Sequence, residues 1–563
     1  MTAVHTSADR RFASAPNAKI IAATAAVSAA LVAAPMLLGY WTQGLRGVIS
    51  FFAADTFYYL AVARHAGSMT GFTYDGEHPT NGFHPLWQWW LNTWFSIVPT
   101  LADRQNQVMF CWASSLVFSC LSAAIIASVC YRLTKSAAIS IFAAVPGFPY
   151  LILSLADRNY GCTWGYVNGT ESAVSMLMFS VLLAMSFGSL GNRIQATPSG
   201  RIMWGAAATL VVLSRLDDVF LLPAFAWPLL ADSLPWRDRF VRYAQSVAAP
   251  AVAISFYCIY NLSYAGSMLP VSGLLKGGLS YSNLAVTISR IVPIQEILDR
   301  GWPPNWNSYG WHVAHLAVPA VIAGMWLFAK RDNLGSHRFR DARVLQALCI
   351  YVLLKAAYNL LCVKYSHQGH WYYANSVVTA SLVTGTLLSK QSTEKIDKRR
   401  ATAWALTCLI TVIFAGNCLL ADKVNLKYNA RYFEYFVNRN ALSAGLRSKC
   451  GDSVKVVGFD DGIDSYSIDV PVMSGLGFTL DLPAAKALKA GRLLDVAYDR
   501  GYRVLTSMNY MPPFEAAIGD DVSSVISRVF WLINERDLDR WTFRLVWIDP
   551  NSDAKFISFE PKN

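Results

Sequence analysis

The sequence predicts an all-α polytopic membrane domain followed by a small α/β domain, and three observations carry that prediction. Hydrophobic side chains make up 54% of the 563 residues and charged ones only 15%, with a mean hydropathy of +0.32. That composition excludes an ordinary water-soluble globule. Apolar stretches near the ~20-residue length that crosses a bilayer recur along the first 420 residues. After residue 420 the pattern changes to short strand-like runs and amphipathic helical segments.

Eleven spans are expected, near 19–41, 106–131, 136–156, 172–190, 202–214, 218–232, 244–262, 310–329, 344–364, 372–389 and 401–420. The fifth and sixth are short and share the polar junction Arg215, Asp217 and Asp218. Short basic loops stay cytoplasmic, and alternate loops here are basic: Arg10, Arg11 and Lys19; Arg132 and Lys135; Arg193 and Arg201; Arg237, Arg239 and Arg242; the run 330–343; and the run 390–400. All fall on one side if the tail 1–18 is cytoplasmic. The first outer loop 42–105, the loops 157–171 and 263–309, and the tail 421–563 then face outward. Span one is too long for a removed signal peptide and is read as retained. The expected location is a bacterial inner membrane, with N-terminus inside and C-terminal domain outside.

The net charge of +12 needs no nucleic acid to explain it. From 421 onward there are 18 Lys and Arg against 19 Asp and Glu, so the excess lies in the membrane part and is the topology signal. Of ten cysteines none forms a CxxC, and only Cys162 and Cys450 lie clearly outside the spans. They could form a disulfide, and a cysteine metal site is the weaker reading.

In the tail, "VKVVGFDDG", "RVLTSM", "FRLVWID" and "KFISFE" read as strands, and "AAKALKAGRLLDVAYDRGY" as helix. Asp460, Asp461 and Asp464 make either a solvated turn or a cation or sugar site.

The first outer loop mixes chemistry with grease. "VISFFAADTFYYLAVARH" and "PLWQWWLNTWFSIV" have helical apolar spacing and are expected to lie along the membrane surface, flanking "TYDGEHPTNGFHP". Asp55 at that boundary can meet a lipid-borne phosphate and a water-borne hydroxyl together. Asp75, His78 and His84 have the ligand types for a divalent cation, though their spacing matches no established metal pattern, and a hydrogen-bonded turn at Asn81-Gly82 is the competing reading. Glu171 follows "NG" at the outer end of span four, as a cap or a site residue. Charges at bilayer depth cost about 2.5–3.5 kcal/mol unless paired or wet, so Arg215, Asp217 and Asp218 are expected to pair at a cavity wall. Lys276, in an outer loop, suits a substrate phosphate or a headgroup. His367 and His370 mark the outer end of span nine.

An acid after span one, then "DG…TNGFHPLW", "NGTES" opening a span, "SRLDD", "GSMLPVSGLLK" and "HWYY", resembles in order and topology the integral-membrane glycosyltransferases of the GT-C superfamily, among them mannosyltransferase-like and arabinofuranosyltransferase-like bacterial proteins. The resemblance covers the membrane part, 19–420, and more loosely the tail. It implies inverting transfer from a polyprenyl-phosphate sugar donor to a glycan, lipid or protein acceptor, with Asp55 as catalytic base. Substrate contacts would come from Asp75, His84, Glu171, Arg215, Asp217, Lys276 and His370. No particular cofactor is implied, and a divalent cation is compatible. The sequence departs from its relatives at Ala54, where they often place a second acid beside the base.

Inverting displacement needs a carboxylate to take the acceptor's proton and positive charge on the departing phosphate. Asp55 fits the first role, and Arg215 and Lys276 fit the second. Two readings compete with the enzyme: a transporter, which would place polar groups at the midplane of several spans, and a non-catalytic envelope assembly or receptor protein.

Overall fold

The structure, a computed structural model, describes residues 15–65, 71–145, 167–227, 234–277, 336–363, 370–391, 432–459, 462–507, 515–524, 526 and 538–562. Helix α1 (Ala15–Gln43) leads through α2 (Leu45–Ile49) to α3 (Ala54–Arg64) and α4 (Pro85–Ile97). The next elements are α5 (Arg104–Thr134), α6 (Ala137–Ala144), α7 (Ser172–Ser186), α8 (Gly188–Ala196) and α9 (Pro198–Ser214). Then come α10 (Leu221–Ala224), α11 (Trp236–Ala265), α12 (Val271–Lys276), α13 (Ser336–Cys362) and α14 (Ala374–Gln391). Helix α15 (Arg439–Cys450) precedes the sheet.

Among the described residues three helices are long and apolar enough to cross a bilayer: the apolar part of α1, α5 and α11. Local chemistry sets their ends. Asp103 accepts the Asn106 amide at 3.0 Å to cap α5, and Gly266, at φ 71°, ends α11 in the left-handed conformation that glycine adopts freely. Small side chains let helices approach: a Cβ on Gly205 of α9 would lie 2.4 Å from the Ser246 carbonyl oxygen of α11.

The expected fourth span is broken, because α7 and α8 meet at 79° around Phe187. Where 218–232 was expected to span, the chain forms a 3-10 turn, Leu216–Phe220, and the one-turn α10 that contains Pro223. Proline removes a helical donor, and the charged junction is held by side chains instead. The expected spans 310–329 and 401–420, most of 136–156, and Cys162 lie outside the described residues.

The tail forms a five-stranded sheet in the order β2-β1-β3-β5-β4. Strands β1 (Val456–Gly458), β2 (Val472–Ser474) and β3 (Val504–Thr506) are parallel, whereas β5 (Lys555–Pro561) runs antiparallel to both β3 and β4 (Trp541–Ile548). The expected strands are all present. The expected helix is two, α17 (Leu482–Lys489) and α18 (Leu493–Asp499), interrupted at Gly491, after the short α16 (Ile463–Ser467).

Alternation along the strands divides the sheet's two faces. Val457, Met473, Leu505 and Ile557 face α17 and α18, while Val456, Val472, Val504 and Phe556 join a core shared with α3. The tail is therefore seated on the helices through a common apolar core. Phe57 of α3 meets Tyr432 and Tyr466 at ring-centroid distances of 5.5 and 5.7 Å. Helix α3 accordingly differs from the expected surface helix: Thr56–Ala63 are all buried, because the tail covers the face that would have met lipid.

Candidate active site

Two turns fix the start of α3. The Asn168 carbonyl accepts the Ala53 amide at 3.0 Å and the Thr56 hydroxyl at 2.6 Å. The Asn168 side chain accepts the Thr170 amide and hydroxyl, and Gly169, at φ 74°, leaves no room for a Cβ against Thr56 and Phe52. "NGTES" thus positions Asp55 and Glu171 from opposite sides of one junction.

The "TNG" segment fixes the other wall. Thr80 donates to the Leu480 carbonyl at 3.2 Å, and a Cβ on Gly82 would fall 1.7 Å from the Phe478 carbonyl oxygen. Asn81 holds the start of α12, which carries Lys276. His84 then adopts the extended backbone favoured before proline, and Pro85 opens α4.

These elements enclose a cavity of about 360 Å³. Its polar lining includes Asp55, Tyr58, His84, Glu171, Arg215, Asp217, Lys276 and Tyr372; Val212, Val219, Phe220, Ile254, Met268 and Leu269 make an apolar flank. The sequence candidates Asp55, His84, Glu171, Arg215, Asp217 and Lys276 are therefore brought together. Of His370 the backbone alone is described, opening the turn His370–Tyr373.

Arg215 is clamped. Its Nη1 donates to Glu171 Oε1 at 2.6 Å, its Nε approaches Asp217 Oδ1 at 2.9 Å off the line of a hydrogen bond, and its guanidinium lies 4.2 Å from the centre of the Tyr372 ring. Glu171 stands at the N-cap position of α7 but makes no side-chain cap; its other oxygen accepts the Tyr59 hydroxyl at 2.9 Å. Lys276 donates to the Tyr372 hydroxyl at 2.9 Å and sits 4.0 Å from the centre of the Phe478 ring.

Burial raises the Asp55 carboxyl above its ordinary value, and Lys276 is the charge that most opposes this. Burial keeps His84 toward its neutral form. The Leu216 amide donates to His84 Nδ1 at 3.3 Å, so the neutral ring carries its proton on Nε2, 3.7 Å from Glu171 Oε1.

Asp75 does not line this cavity. It accepts His78 Nδ1 at 2.7 Å, the Tyr502 hydroxyl at 3.0 Å and the amides of Glu77 and His78, which makes it a bolt between the first loop and the sheet domain. The three side chains with the ligand types for a divalent cation are thereby separated: Asp75 and His78 bond each other, while His84 lines the cavity. Among the described residues no three His, Cys, Asp or Glu side chains converge as a metal site. Arg64 and His65 at the end of α3 also meet protein groups: Arg64 is 3.8 Å from Asp469, and His65 Nδ1 reaches the Thr73 carbonyl at 3.2 Å. Asp464 is buried, and Asp460 and Asp461 lie outside the described residues.

Two residues escaped the sequence reading. Tyr372 stood inside "HWYY" without a signal that separated it from its aromatic neighbours. Lys355 had one, a lone cation in an apolar run that must find a partner. It is fully buried, 3.3 Å from Asp217 and paired with Asp218, so Asp218 joins Lys355 rather than Arg215.

No protein-family model matches the chain, and no curated protein matches it in sequence. It is similar to a crystal structure of ArnT from Cupriavidus metallidurans bound to undecaprenyl phosphate, at a TM-score of 0.47 and 10% identity, with 97% of each chain covered.

Proposed function

We propose that the chain is an inverting glycosyltransferase that moves a sugar from a polyprenyl-phosphate donor to an acceptor hydroxyl on the outer side of the membrane. One observation carries the reading: a carboxylate, Asp55, shares a partly apolar cavity with Lys276 and Arg215. Asp55 takes the acceptor proton as the acceptor oxygen bonds to the anomeric carbon. The bond from that carbon to the phosphate oxygen breaks, and the phosphate leaves with the electron pair. Lys276 and Arg215 stabilise its growing charge where little water competes. The apolar flank suits the first isoprene units, and the acceptor is a glycan, a lipid or a protein.

The test is to incubate purified protein with radiolabelled polyprenyl-phosphate sugars and candidate acceptors. Consumption of label with release of polyprenyl phosphate supports the reading. A protein that binds the donor and leaves every one intact returns the chain to a receptor or assembly role.

A further inference from the structure

Beneath the cavity lies a charged cluster that the proposed chemistry does not use. Asp218 is fully buried and accepts from Lys355, the Tyr351 hydroxyl, Asn375 at 2.7 Å and Ser175 at 3.2 Å, so groups from α7, α13 and α14 converge on one carboxylate. Such a knot would suffice as a structural anchor. Lys355, however, is shared: its ammonium also lies 3.3 Å from Asp217 Oδ2, while the opposite oxygen of Asp217 faces Arg215 Nε at 2.9 Å. Lys355 does not line the cavity, whereas Asp217 and Arg215 both do.

Charge accounting sharpens the point. Three carboxylates share two cations here: Glu171 and Asp217 face Arg215, and Asp217 and Asp218 face Lys355. Without Lys355 the group would carry a net charge near −2 directly beside the place where a phosphate must sit. An ammonium pulling on Asp217 from behind also limits how far that carboxylate can enclose the guanidinium. Arg215 Nη2 makes no hydrogen bond among the described residues, and a buried guanidinium N–H without a partner is costly unless a ligand completes it.

We propose that Lys355 is a positioning residue for phosphate binding: shared between Asp217 and Asp218, it holds the Asp217 carboxylate in place against Arg215 and so keeps the guanidinium available to an anionic oxygen. The inference rests on the donor class proposed above.

The experiment measures undecaprenyl phosphate binding to the full-length chain in detergent, for wild type, Lys355→Met and the double variant Lys355→Met/Asp218→Asn, alongside thermal transitions. The double variant removes both charges of the anchor together and so leaves no uncompensated charge buried at position 218, which separates folding from positioning. Its thermal transition is expected near that of the wild type, with affinity lower by about tenfold or more, the scale of coupling within one salt-bridge network. Wild-type affinity in the double variant overturns the inference. If wild type itself binds no undecaprenyl phosphate, the donor class fails instead. The positioning role is then decided by the structure of the double variant, in which an Arg215 still seated between Glu171 and Asp217 refutes it.

Discussion

Asn81 Oδ1 accepts the backbone N–H of Val271 at 3.0 Å, across 190 residues of chain. The amide of the same side chain reaches the carbonyls of Ser267 and Leu269 at 3.4 and 3.3 Å. One buried asparagine thus ties the first loop to the turn that presents Lys276. Asn81→Ala leaves the Val271 amide without that acceptor, which costs about 1–3 kcal/mol, and frees the start of α12. The expected result is a lower thermal transition together with a raised KM for the lipid-linked donor. An unchanged KM in folded protein would show that α12 holds its place without Asn81.

Two histidines near the loop–tail contact respond to pH with opposite sign. The Asp75 hydrogen bond raises His78 above its ordinary value, while burial opposes the shift. Burial, helped by Arg64, lowers His65 to about 4. A raised histidine stabilises the fold below its unfolded value, and that stability is lost as pH rises through the folded value. A lowered one makes stability fall as pH drops from about 6.5 toward 4. His78→Gln should therefore cost more near pH 6 than near pH 8.5, and His65→Gln should flatten the acid side of the stability curve. Thermal transitions of the three proteins across that range check both signs.

The strands of the tail could be located because their apolar runs are bounded by turns and the sheet buries both faces: Val456-Val457, Val472-Met473 and Val504-Leu505 feed opposite sides. The six cavity residues were legible as ionisable groups in the outer loops and at span ends of an otherwise apolar part. The burial of α3 was not, since its cover comes from Tyr432 and Tyr466, some 400 residues away, and local periodicity carries no such contact. Asp75 looked like its cavity-lining neighbours for the same reason; its partner Tyr502 is distant in sequence and marked by nothing local. The break at Phe187 was hidden because the two helices taken together are apolar enough to read as one span.

Lys276 is more tightly held than an exposed lysine, bonded to Tyr372 and seated on the Phe478 ring. Lys276→Ala should weaken donor binding by at least about 30-fold, the lower range for truncating one partner of a buried charge contact, with a smaller effect on folding. Lys276→Arg should recover part of the loss by keeping the cation. Equal donor affinity in wild type and the alanine variant would leave Lys276 as a strut for Tyr372.

In the proposed reaction Asp55 is the base, and with Ala54 before it no acid adjacent in sequence shares that role. Asp55→Asn keeps size and hydrogen bonding but removes the basic oxygen. Turnover should fall by roughly 10²- to 10⁴-fold with donor binding largely kept, the usual cost of losing a general base. Asp75→Asn, in the bolt between loop and tail, should lower the thermal transition and leave turnover of the folded protein near normal. The pH profile separates the roles further. The base works ionised, and burial raises the Asp55 carboxyl, so kcat/KM should fall as pH drops through a value above the ordinary 3.8 of an aspartate. Lys276→Ala removes the main charge that opposes this rise, so the acid limb should move to higher pH. A limb that stays put in Lys276→Ala, or an Asp55→Asn protein that turns over normally, would move the base to another carboxylate of the cavity, with Glu171 the nearest in kind.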